Sequence, residues 1–171
     1  MKQLLTLAVL FLVAIVSYLW WESQKSDNPI VRLSLFVDEH VDSILGPLPF
    51  ADKGILASPN HTHHLRVLRE NIRDLQKVSP TEESLRYTTA VQLCDQLIAA
   101  SGERDLHLAR INDVRAKSKP SPLFDYSEQH REERLAFFEN GIALSWNEAS
   151  HKLRKKIDYA YAKLRQFERS K

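Results

Sequence analysis

Eighteen consecutive residues near the N-terminus, Leu4 to Trp21, contain no charged residue, no proline and no glycine. In hydrocarbon the backbone finds no water to bond, so a segment of this kind must satisfy its amides internally, as a helix does. At about 1.5 Å per residue the run covers roughly 27 Å, enough to cross the apolar layer of a bilayer. Trp20 and Trp21 fall where the helix should leave that layer, a boundary that indole rings favour. No second such run follows. The sequence therefore predicts an all-α chain in three parts: a single transmembrane helix as signal anchor over 1–21, a polar joint over 22–28, and a helical bundle over 29–171.

A cleaved signal peptide is the competing expectation for the same run. Signal peptidase requires small residues at two positions before the cut, and Ser17-Tyr-Leu-Trp-Trp-Glu-Ser23 offers bulky aromatics at most of them. An uncleaved anchor fits better. Lys2 on one side and Lys25 and Arg32 on the other leave the positive-inside count nearly tied. A three-residue tail before a long C-terminal domain then favours a cytoplasmic N-terminus and an extracytoplasmic bundle, periplasmic or luminal.

About 150 residues beyond the anchor suffice for one buried core and not for two. With 27% charged and 43% hydrophobic residues the chain has globular composition. Its one cysteine, Cys94, excludes a disulfide framework and lies on an apolar helical face, where a thiol acts as a small hydrophobe.

Proline and glycine punctuate the rest into five to six helices. Pro29, capped by Asn28 or Asp27, opens the first, with Ile30, Leu33, Val37, Val41 and Ile44 inward and Gly46-Pro47 as its end. Alternation of Val31, Leu33, Leu35 and Val37 would suit a strand, but the helical spacing runs further. A loop carrying Phe50, Ile55 and Leu56 leads to a second helix over about 60–78, faced by Leu65, Leu68, Ile72 and Leu75. Ser79-Pro80-Thr81-Glu82 reads as a capping box for a third, with Tyr87, Ala90, Val91, Cys94, Leu97 and Ile98 inward and Gly102 as its stop. A short fourth helix, 103–117, presents His107, Leu108, Ile111 and Val114. Pro120 and Pro122 break the chain, and Asp125 or Ser127 caps a fifth helix with a thin stripe of Leu135, Phe138 and Ile142, ended by Asn140-Gly141. Ser145-Trp146-Asn147-Glu148 reads as a second capping box.

The last helix carries the clearest pattern. Trp146, Ala149, Leu153, Ile157, Ala160, Leu164 and Phe167 recur at helical spacing, and such a stripe must be docked, in the bundle or on a partner. Trp146, Leu153, Ile157, Leu164 and Phe167 are accordingly the candidate interaction face. Residues 151–171 also hold eight Lys and Arg against two acids, leaving 24 − 8 = 16 basic and 22 − 2 = 20 acidic residues in 1–150. Lys152, Arg154, Lys155, Lys156, Arg165 and Arg169 form a basic face that is either simply solvated or laid on anionic lipid headgroups. Nucleic acid is a poor fit, because no aromatic platform interleaves with the charge.

His61 and His64 share the apolar side of the second helix, and with His40 from the first, or Asp38 or Glu39, they could hold a divalent metal. His61, His63 and His64 as three partly exposed imidazoles in a first helical turn are the plainer expectation. Glu148-x-x-His151 is half of a di-metal carboxylate signature whose other half is missing. No nucleophile elbow, P-loop or H-E-x-x-H occurs, and four glycines in the whole chain leave little from which to build a phosphate cradle. The expected class is thus a non-enzymatic, membrane-anchored helical interaction module without a cofactor: a scaffold, accessory subunit or tether for another membrane or envelope component. A metal-responsive sensor or carrier using His61, His64 and His40, and an enzyme with an unrecognised site, are the alternatives.

Overall fold

A computed structural model describes residues 28–48, 61–118 and 128–169. The transmembrane expectation for 4–21, most of the polar joint and the cap of the expected fifth helix lie outside them. Among the described residues no helix is long and apolar enough to cross a membrane.

These residues form four helices: α1 (Pro29–Leu45), α2 (His61–Val78), α3 (Thr81–Lys117) and α4 (Glu128–Arg169). The all-α expectation holds, while the five to six expected helices reduce to four. α1 begins as its sequence dictates. The Asn28 side chain accepts a 2.9 Å hydrogen bond from the Ile30 amide, and Pro29, which has no amide hydrogen to satisfy, takes the first helical position. At the next junction the expected capping box does not form. Ser79 Oγ donates instead to the Leu75 carbonyl at 2.7 Å, closing the end of α2, and α3 starts without a side-chain cap.

The difference in helix number comes from two glycines. Gly102 lies inside α3 and Gly141 inside α4, neither with positive φ, so neither ends a helix. A glycine within a helix costs about 1 kcal/mol relative to alanine. Continuous burial on both sides outweighs that cost: Leu93, Leu97 and Ala100 before Gly102 and Leu108 and Ile111 after it lie on one face of α3. Ser145-x-x-Glu148 is likewise mid-helix and caps nothing. Because a Cβ at position 102 would meet nothing within 4 Å, Gly102→Ala is expected to stabilise the chain by about 0.5–1 kcal/mol, seen as a higher urea midpoint. A lower midpoint would mean that the glycine answers a need that its surroundings do not show.

The helices run alternately up and down. Thr62 meets Ser101, Arg69 meets Asp95 and Gln76 meets Thr88, so α2 is antiparallel to the first half of α3. On α4, Arg154 pairs with Asp42 and Arg165 with Asp38, setting α4 antiparallel to α1. α3 packs on all three other helices, whereas the backbones of α2 and α4 do not approach closely. The main core joins Ile30, Leu33 and Phe36 of α1 with Leu65, Leu68 and Ile72 of α2, Leu93 and Leu97 of α3, and Ile157 and Leu164 of α4.

A second, smaller core lies further along, where Leu48 and Trp146 meet Leu108 and Ile111. Beyond it, among the described residues, α3 and α4 continue. α3 and α4 would span about 55 and 63 Å at 1.5 Å per residue, and their distal parts form a two-helix arm. No residue from 128 to 145 is fully buried. The arm is held by Leu135 and Ile142, both half-buried, and by an ion pair from Arg115 Nε to Glu139 Oε1 at 2.5 Å, its two side chains only 15% and 13% exposed.

Candidate functional site

Among the described residues three places stand out: the histidines between α1 and α2, the end of α1, and the outer face of the arm. At the first, α1 brings Phe36 and His40 against His61 and His64 of α2. The Phe36 ring lies 4.8, 5.6 and 5.5 Å from the rings of His40, His61 and His64, and His40 and His61 are 4.9 Å apart. The three expected metal candidates therefore do gather, but around a phenyl ring. Among the described residues no three His, Cys, Asp or Glu are grouped to hold a metal ion.

Burial lowers the His61 pKa below its ordinary 6.5, and His40, Arg104 and His64 lower it further against the opposing charge of Asp105. With the folded pKa below the unfolded one, the stability tied to His61 is complete above pH 6.5. As pH falls below that value the unfolded chain takes the proton more readily, and stability drops until the folded pKa is passed. The urea midpoint is therefore expected to fall between pH 7 and pH 5, and to fall less in His61→Asn. An equal fall in both proteins would assign the acid sensitivity elsewhere.

At the end of α1, Gly46 turns the chain, and an added Cβ would collide with the Asp42 carbonyl oxygen. The carbonyls left open there are taken up by residues far along the chain. Arg104 donates to the oxygens of Ile44, Gly46 and Pro47 at 3.4, 2.8 and 3.3 Å, and Trp146 Nε1 donates to Gly46 at 2.8 Å. A cation at a helix C-terminus also faces the negative end of its dipole. Arg104 stands 5.8 Å from the Trp146 ring centroid, and the His107 ring lies 5.5 Å from it, tilted by 56°. Every one of these groups ties the chain to itself, which marks a structural clasp.

The expected interaction face is likewise occupied from within. Trp146, Ile157 and Leu164 are fully buried, and half-buried Leu153 packs on the main core. Phe167 is half-buried. The basic face divides: Arg154 and Arg165 hold α1 through Asp42 and Asp38, while Lys152, Lys155, Lys156 and Arg169 are exposed. Tyr161 joins the Asp38 pair, donating to its carboxylate at 2.7 Å, and burial followed by that bond pushes its hydroxyl pKa up to about 12. Cys94, as expected, is a buried hydrophobe, its thiol pushed up to about 12 by burial.

Among the described residues there is also an exposed apolar face that the sequence does not single out. Phe137, Leu144 and Phe138 are 75%, 66% and 47% exposed, the two phenyl rings 5.7 Å apart edge to face. With Arg110, Asn140, Gly141, Ile142 and Ser145 they line a shallow apolar groove of about 520 Å³ along the arm. Phe138 is expected to point inward with Leu135 and Ile142, and only an unbroken helix through Gly141 sets Phe137 and Leu144 two turns apart on the outside. No protein-family model, curated protein or solved structure matches the chain, so its own geometry carries the functional reading.

Proposed function

We propose that this chain is a non-enzymatic interaction module, a helical bundle tethered to a membrane by Leu4–Trp21 and held on its extracytoplasmic side, which presents the outer face of the α3–α4 arm to a protein partner. The exposed Phe137, Phe138 and Leu144 carry the reading. Exposing three large apolar side chains in one groove gains nothing for the fold, and grooves of this kind mark places where another helix or chain is received. The rest of the domain supports it, since its polar contacts at Arg104, Trp146, Arg154 and Arg165 are made within the chain.

The test is a double substitution, Phe137→Ser with Leu144→Ser, in the full chain extracted in mild detergent. Both side chains are exposed, so helicity and urea midpoint should stay near the parent's, within about 0.5 kcal/mol per position. Native electrophoresis should show the loss of a higher assembly that the parent forms. A variant that keeps every assembly of the parent would remove the arm from the function.

A further inference from the structure

We propose that the arm's outer face receives the same face of a second copy of this chain, the two α4 helices crossing antiparallel about a two-fold axis near Gly141. The proposal rests on the interaction-module reading and names its partner. Along α4, Arg134, Phe137, Gly141, Leu144 and Glu148 recur at spacings of 3, 4, 3 and 4, one stripe on one side of the helix. All five are solvent-exposed. The stripe is apolar at its centre and oppositely charged at its two ends, with Arg134 seven residues before Gly141 and Glu148 seven residues after it.

That symmetry selects the partner and its direction. Turning a second helix end for end about Gly141 lays each Arg134 beside Glu148 of the other copy, and sets Phe137 and Phe138 against its Leu144. A parallel pair would instead place arginine on arginine and glutamate on glutamate, and like charges facing each other oppose such a contact. Within one copy neither charge has an ion-pair partner among the described residues. Gly141 supplies the independent observation. It has a helical backbone, and a Cβ there would meet nothing within 4 Å, so nothing among the described residues calls for a glycine. At the crossing point of two helices, the missing side chain lets the backbones approach and the flanking aromatics interlock. An interface of this type is isologous, each copy giving and receiving the same residues.

The experiment uses the full chain in mild detergent. Sedimentation equilibrium should show a reversible dimer. Arg134→Glu alone and Glu148→Arg alone should each weaken it about tenfold or more, since each reversal creates two like-charge contacts, and the combined exchange should restore it. Circular dichroism checks that these exposed substitutions leave the fold intact. Cysteines then report direction under mild oxidation, because native Cys94 is buried and does not compete. Gly141→Cys should cross-link with itself, and Arg134→Cys should cross-link with Glu148→Cys and not with another Arg134→Cys. A monomer at all concentrations, a dimer indifferent to both charge reversals, self-linking of Arg134→Cys, or binding of the Phe137 and Leu144 face to phosphatidylglycerol vesicles by a monomer would each overturn the proposal. If the serine double variant still loses a different protein partner, the interaction reading survives that failure. If it loses no assembly at all, both fall.

Discussion

Trp146→Ala is expected to lower the unfolding free energy by about 4 kcal/mol, within the range for removing a large aromatic side chain from a core. The indole is fully buried in the smaller core against Leu48, Leu108 and Ile111, and its N–H holds the Gly46 carbonyl at 2.8 Å. Removing it empties the volume and withdraws a hydrogen bond from the end of α1 together. Trp146→Phe separates the two effects. Most of the volume stays, and the Gly46 oxygen keeps its 2.8 Å bond from Arg104, so a loss of about 1–2 kcal/mol is expected. Urea unfolding followed by circular dichroism gives both values. A Trp146→Ala loss under about 1 kcal/mol would mean that the side chain is not packed as described.

The second large effect concerns the arm. Glu139→Gln should cost about 2 kcal/mol, because the mostly buried Arg115 Nε loses its charge-assisted hydrogen bond to the Glu139 carboxylate. Exchanging both partners for leucine should cost less than Glu139→Gln, since the cost of desolvating both ions disappears with them. The contrast is the diagnostic. If the double variant is as unstable as Glu139→Gln, the pair contributes shape that leucine cannot supply, and its charge is incidental. Amide hydrogen exchange should place the loss in 103–118 and 128–145, with α2 unaffected.

Much of the fold was legible, and the failures share one cause. Asn28-Pro29 and Gly46-Pro47 bracket α1 because their signals are local and nothing distant contests them. The inward stripe from Trp146 to Leu164 was readable because seven-residue spacing admits no other burial. Gly102 and Gly141 carry an equally local stop signal, worth about 1 kcal/mol, and it was overruled by packing that the sequence does not display. Arg104 and Glu139 belong to that packing: each puts a charge on the seam of a long helix, and each is satisfied by a group distant in sequence, the α1 carbonyls for one and Arg115 for the other. The site failed in consequence. With a helix end at Gly141, Phe137 and Leu144 belong to different elements, and their common outer face has no register in which to be seen.

The clasp at Gly46 also bears on the order in which the molecule assembles. The contacts that zip α3 to α4 join residues 24 and 38 positions apart, at Arg115–Glu139 and His107–Ser145. Those that clasp the end of α1 to α3 and α4 span 58 positions from Arg104 to Gly46 and 100 from Trp146. The entropy lost in closing a loop grows with its length, so the α3–α4 hairpin and the α1–α2 pair, joined by near contacts such as His40–His61, form early and the clasp closes last. Trp146 serves both, but its bond to Gly46 belongs to the late step. A probe confined to that step, such as Gly46→Ala, should accelerate unfolding and leave the folding rate nearly unchanged, and the chain's lifetime in the native state is then governed by how long α1 stays fastened.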